Sequence, residues 1–114
     1  MFEYISIYQY HLDLGQGKVT CAEIVRHYLS QIEEKKHLNA FVYVFADEAL
    51  QRAAELDAKR KSGNGVGKLH GVVVAIKDVI CYKDHPLSAA SGILKNFTSL
   101  YSATVVEKLL SEDA

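Results

Sequence analysis

At 114 residues the chain is at most one domain, and 49% apolar and 24% charged residues are ordinary for a globular protein. Thirteen basic against fourteen acidic residues leave a formal charge of −1 with no basic block, which removes the electrostatic footprint for holding nucleic acid directly. No apolar run approaches the roughly eighteen residues that cross a bilayer, Met1–Ile5 lacks the charged and apolar regions of a secretion signal, and two isolated cysteines, Cys21 and Cys81, fit free thiols in a reducing cytosol.

Residues 2–14 carry two patterns at once. Tyr8, Tyr10, Leu12 and Leu14 alternate with polar residues as a strand would, while Ile5, Tyr8 and Leu12 also fit one face of a helix that Gly15 could end. Residues 21–35 are a clearer helix. Thr20 and Glu23 form a capping box, and Val25, Tyr28, Leu29 and Ile32 make one apolar stripe. Glu33, Glu34, Lys35 and Lys36 read as its solvated end. Ala40 to Phe45, rich in aromatic and β-branched residues, reads as a short strand.

Residues 47–61 read as a helix whose acidic start (Asp47, Glu48) and basic end (Lys59, Arg60, Lys61) complement its dipole. Its narrow buried face is Leu50, Ala53 and Ala54. Residues 62–68 form a flexible loop. Gly67-Lys68 gives it a superficial likeness to a phosphate loop, but Ser62 stands where the first glycine belongs, Leu69 replaces the required hydroxyl, and a strand follows instead of a helix.

Val72–Ile76 reads as a buried central strand that ends at Lys77. A cation there is costly unless it reaches water, finds a partner or loses its proton. Two readings stay open on pattern alone: a catalytic amine, because lysine deprotonates readily when desolvated, or a lysine that snorkels outward and pairs with Asp78. Residues 78–101 are irregular, with a turn at Asp84-His85-Pro86. Residues 103–111 form a helix capped by Ser102, with Val105, Val106, Leu109 and Leu110 apolar. Helices interleaved with strands make an α/β pattern, cut before a sheet is complete.

No two of the five histidines stand three or four apart, and none is placed to relay protons to Lys77. Cys81 and His85 have ligand-like spacing but no second pair, so no metal site is expected. The seven tyrosines suit core and interface better than base stacking.

Several ordered segments carry a family likeness. Gly71-Val72-Val73-Val74-Ala75-Ile76-Lys77-Asp78-Val79-Ile80-Cys81 resembles a Gly-(apolar)-Ala-(apolar)-Lys-Asp-Asn strand end with Val79 in place of the Asn, Leu38-Asn39-Ala40-Phe41 precedes it, and Ala90-Ser91, Ile93-Leu94, Asn96-Phe97 and Tyr101–Leu109 follow in order. From about Ile5 to Ala114 the chain resembles the amidase signature family, and within it the A subunits of aspartyl/glutamyl-tRNA amidotransferases. The resemblance favours helix for residues 2–14. It implies that residues 1–114 are the N-terminal portion of an amidase domain, supplying N-terminal helices and the first strands of an α/β/α mixed sheet. Val79, Asp84-His85, Ser102 and Asp113 depart from residues common in the family.

The resemblance also implies a chemistry. Family enzymes hydrolyse amides with a Ser–cis-Ser–Lys triad, in which Lys77 would be the general base. Both serines belong to a Gly/Ser-rich segment that has no counterpart here, so the chain alone is expected to be inactive. The intact enzyme would be a cytoplasmic glutaminase subunit of an ATP-dependent carbon–nitrogen ligase, supplying ammonia to glutamate or aspartate misacylated on tRNA. Its partners would be a B subunit, holding the tRNA with ATP and Mg²⁺, and a small bridging C subunit. This chain itself would carry no cofactor. A stand-alone amidase acting on another small amide is the alternative, and the chain by itself could serve as a non-catalytic interaction module that self-associates through Val105, Val106, Leu109 and Leu110.

Overall fold

Ser6 turns the ambiguous N-terminal pattern into a helix. In the computed structural model, which describes residue 3 and residues 5–114, its hydroxyl accepts the Gln9 amide at 3.1 Å and starts α1, Ile7–Gly15. The face that α1 buries is Tyr10 and Leu14, one turn apart. Ile5, Tyr8 and Leu12, the other candidate stripe, face solvent.

Both halves of the expected capping box form at the start of α2, Cys21–Glu34: Thr20 Oγ1 accepts the Glu23 amide, and Glu23 Oε2 accepts the Thr20 amide at 2.8 Å. A second cap comes from another helix. The Asp57 carboxylate accepts the Cys21 and Ala22 amides at 2.8 and 3.1 Å, satisfying first-turn donors and docking α3, Ala46–Lys61, against α2. On α3 the buried residues are Ala53 and Leu56, with Ala49 and Leu50 packed beside them; Ala54, expected inside, is exposed. Together Tyr10, Leu14, Cys21, Ile24, Val25, Ala53 and Leu56 form the core.

The C-terminal helix α4, Thr104–Ser111, turns Val106 inward and leaves Val105 exposed. Ser102 does not cap it. Ala103 is the capping residue, and the Ser102 hydroxyl instead accepts the Lys83 amide at 3.0 Å. The far end of α4 is tied down more firmly: Arg52 of α3 donates to the Ala114 and Leu110 carbonyls at 2.7 and 3.0 Å, covering acceptors a helix end leaves open. Residues 67–71 run against this end, with Leu69 and Gly71 amides donating to the Glu112 and Asp113 carbonyls. The approach needs glycine twice. A Cβ on Gly67 would lie 2.3 Å from the Glu112 carbonyl carbon, and one on Gly71, at φ +73°, would lie 2.6 Å from Cys21 Sγ.

The expected strands are where structure and sequence part. Among the described residues no strand ladder forms, and an isolated antiparallel bridge joins Pro86 to Thr98. Residues 40–45 and 72–76 are neither helical nor paired, so the α/β expectation is met only in its helices. A strand exists through a neighbour about 4.8 Å away that takes its amides and carbonyls, and neither segment has one. Their side chains are correspondingly bare: Val73, Val74 and Ile76 are 42%, 41% and 39% exposed, and Phe41 to Phe45 are all exposed. Short 3₁₀ turns occupy Lys36–Leu38 and Gly92–Leu94. Among the described residues no helix is long and apolar enough to cross a membrane.

Candidate functional site

Gly71 and Val72 leave the core, and the chain reaches Lys77 five residues later. There it turns sharply: the Lys77 carbonyl accepts the Val79 and Ile80 amides at 2.8 and 3.0 Å. Lys77 is exposed rather than placed at the end of a buried strand, and among the described residues its amine has no hydrogen-bond or ion-pair partner. The pairing with Asp78, one of the two readings left open by the sequence, does not occur. The Asp78 carboxylate accepts the Ser88 amide at 2.9 Å and the Ser88 hydroxyl, while its carbonyl accepts the Ala89 amide at 2.9 Å. These bonds, the Ser88 hydroxyl first, hold the Asp78 carboxyl below the usual carboxylate range.

Ala89 and Ala90 follow at φ +48° and +55°, in the left-handed region that a Cβ disfavours. Asp84 and Asp113, two positions expected to depart from the family pattern, also have positive φ, +64° and +67°. Short polar side chains tolerate that geometry better than most.

His85 closes the side of the loop nearest α3. Its ring stacks on Tyr82 with centroids 3.7 Å apart and meets Phe45 edge-on at 4.7 Å. Both ring nitrogens face acceptors, Nε2 the Glu48 carboxylate at 2.6 Å and Nδ1 the Lys83 carbonyl at 2.7 Å. Burial, and then the charge of Glu48, push the Tyr82 phenol upward. Cys81 and His85 are not joined by further ligands; among the described residues no three His, Cys, Asp or Glu side chains converge on a metal position.

A second cluster lies at the end of α3. Lys59 donates to both Asp113 oxygens at 2.8 Å, the Gly67 amide donates to Oδ2 at 2.6 Å, and the buried His70 brings Nδ1 within 3.4 Å of it. Burial opposes ionisation of Asp113, but Lys59, Gly67 and His70 together hold its carboxyl at about 2. His70, wholly buried, is lowered chiefly by that burial. Cys21 is no reactive thiol: burial first, then the charge of Asp57, push it up to about 12.

Between α2, α3, α4 and residues 38–45 and 71–76 runs an open cleft of about 860 Å³. Its walls are mostly apolar, with Leu29, Ile32, Val74, Ile76, Val106 and Leu109 among them, and it holds neither serine nor histidine. Ile76 lines it; Lys77, the next residue in the chain, does not. The Asp78 carboxylate is turned to Ser88. Lys77 stands out in the sequence; the Asp78–Ser88 link and the Asp113 cluster do not, because each joins residues ten or more positions apart without a motif to mark them.

The family model for amidases matches residues 23–114. The glutamyl-tRNA(Gln) amidotransferase A subunit of Chlorobaculum tepidum is 45% identical over 101 residues, covering 89% of this chain and 21% of its own length. The protein of the same name from Chlorobium phaeobacteroides is 43% identical over 112 residues, covering 97% of this chain and 24% of its own. The chain thus spans between a fifth and a quarter of the length of these relatives. A solved inhibitor-bound structure, described as a vestigial protein complex that reveals the evolutionary origins of an s-triazine catabolic enzyme, superposes with TM-score 0.88 at 20% identity. It covers 96% of this chain and 24% of its own. At that identity what is shared is the fold.

Proposed function

The chain belongs to the amidase family, and from that premise we propose that it is the N-terminal portion of the glutamine-hydrolysing A subunit of a tRNA-dependent amidotransferase. The observation that carries this is the 43% identity to such a protein over 97% of the chain. Lys77 supports it: an exposed amine without a partner among the described residues, next in the chain to Ile76 of the cleft wall, at the position where the family's base is expected.

In this reading Lys77, neutral once the rest of the domain desolvates it, accepts a proton from a bridging cis-serine. That serine takes one from the nucleophilic serine, whose oxygen attacks the glutamine side-chain carbonyl. Ammonia leaves, and water releases glutamate from the acyl-enzyme. In this reading neither serine is among these 114 residues, and the isolated chain is expected to be inactive. The ammonia passes to misacylated Glu-tRNA(Gln) or Asp-tRNA(Asn) in a cytoplasmic complex with B and C subunits. A net charge of −1 suits a chain that leaves the tRNA, ATP and Mg²⁺ to the B subunit.

Two measurements test this. The coding sequence after Ala114 is expected to continue in frame into a Gly/Ser-rich segment with paired serines. In the assembled enzyme, Lys77→Arg keeps the charge but removes the usable base, so glutaminase activity should fall by about 10²–10⁴-fold. An immediate stop codon, or a Lys77→Arg enzyme of undiminished activity, overturns the reading. A single-chain product active on another small amide would instead assign the chain to a stand-alone amidase.

A further inference from the structure

Resting on that reading, we infer that Ser88 is a positioning residue for Lys77: by holding the Asp78 carboxylate, it keeps the neighbouring anion away from the lysine amine. An amine that must act as a base is hindered by a carboxylate beside it, because the pair favours the charged ammonium. Asp78 is the anion with the greatest opportunity to do this, being next in the chain. In the structure its carboxylate is occupied by the Ser88 amide and hydroxyl, and its carbonyl by the Ala89 amide.

The turn at Lys77 and the return of the chain at Ser88 are therefore tied together at three points. The tie keeps Ala89 and Ala90 in left-handed backbone, a cost that persists only where surrounding bonds over-determine it. The lowered Asp78 carboxyl agrees with an anion whose acceptors are satisfied.

Several carboxylates of the surrounding elements are committed elsewhere, Glu55 of α3 to Gln51 among them, while Asp47 is exposed. On α3, Glu48 takes His85 and Tyr82, and Asp57 takes the first amides of α2. Past α4, Glu112 takes the Lys68 amide, and Asp113 takes Lys59, Gly67 and His70. Lys83, Asp84 and Glu107, on the loop and on α4, are exposed and have no ion pair among the described residues. The anion that Ser88 withholds from Lys77 is Asp78.

The test uses the full-length protein assembled with its partners and reads kcat/KM for glutamine against pH. Ser88→Ala frees the carboxylate to pair with Lys77. The lysine then stays protonated to higher pH, and the acid limb of the profile should move up by about one pH unit. Ser88→Thr, which keeps the hydroxyl, should restore the parent limb. Asp78→Asn removes the anion, so its limb should stay at the parent position or below, with or without Ser88→Ala. A merely structural role would lower activity in all of these with the limb fixed, and that result overturns the inference; so does an upward shift in Asp78→Asn. Lys77→Arg, run alongside, separates the two claims. If it is inactive while Ser88→Ala leaves the limb in place, Lys77 is the base and Ser88 does not position it. If it is active, the reading of Lys77 itself is wrong.

Discussion

The two sides of this small chain are finished to different degrees. On one side α1, α2 and α3 bury seven residues together, and Arg52, Lys59, His70 and Asp113 lock the C-terminal end of α4 onto α3. On the other side residues 40–45 and 72–77 leave β-branched and aromatic side chains half in water, beside a cleft of about 860 Å³. The first side is stabilised by contacts within the chain. On the second, Lys77, the residue proposed to act, stands exposed.

The largest expected effect sharpens that contrast. Lys77→Arg should cost the assembled enzyme about 10²–10⁴ in rate. The same change in the 114-residue chain should move the unfolding free energy by no more than about 0.5 kcal/mol, because the side chain is exposed and unpaired. Urea unfolding of the chain and a glutaminase assay of the complex check the two halves. A large loss of stability would mean that the open side is already a structural part of this fold.

Core truncation comes next. Ile24 is 2% exposed, so Ile24→Ala should destabilise by about 2–5 kcal/mol. Val73, at 42% exposure, should lose under about 0.5 kcal/mol on truncation to Ala. Equal losses at the two positions would break the comparison.

Much of the closed side was legible because its signals are local. The Thr20–Glu23 box and the acidic start and basic end of residues 47–61 are marked by neighbours within a turn or two, and α2 and α3 formed as expected. The open side was misread because strand pairing is not local. Val72–Ile76 has the composition of a buried strand, yet composition cannot supply a partner. Between these extremes lie the links of Asp78 to Ser88 and of Asp113 to Lys59. They depend on how a loop closes, and alanine at two left-handed positions is the opposite of the usual turn signal. Lys77 was singled out through family likeness; its exposure was one of two readings left open, and the turning of Asp78 to Ser88 was not foreseen.

Acid should dismantle the closed side before the open one. His70 is buried with a lowered pKa, so the unfolded chain binds a proton more readily. Its contribution is present above the ordinary histidine value, near 6.5, and fades as pH falls below it. Asp113 is held at about 2 against an ordinary value near 3.9, so its contribution is full at neutral pH and is lost between about pH 4 and 2. Asp113→Ala at pH 7 should destabilise by about 2–3 kcal/mol, less than a fully buried ion pair because Lys59 is partly solvated. It should also flatten the decline of stability between pH 4 and 2, measured by urea unfolding across pH. An unchanged decline would remove Asp113 as the anchor of that end.

The smallest effect separates two residues that look alike in sequence. Thr20 and Ser102 each precede a helix, and each reads as a cap. Only Thr20 caps: its hydroxyl takes the Glu23 amide, and Thr20→Ala should cost about 1 kcal/mol. The Ser102 hydroxyl serves the Lys83 amide in the loop instead, and α4 begins at Thr104 without a side-chain cap. Ser102→Ala should therefore leave the helix content seen by circular dichroism unchanged and alter protection of the Lys83 amide from hydrogen exchange. A loss of helix matching that of Thr20→Ala would show that α4 depends on its first turn. Val106, Arg52 and the Asp113 cluster argue otherwise, because they hold α4 from its buried face and its far end.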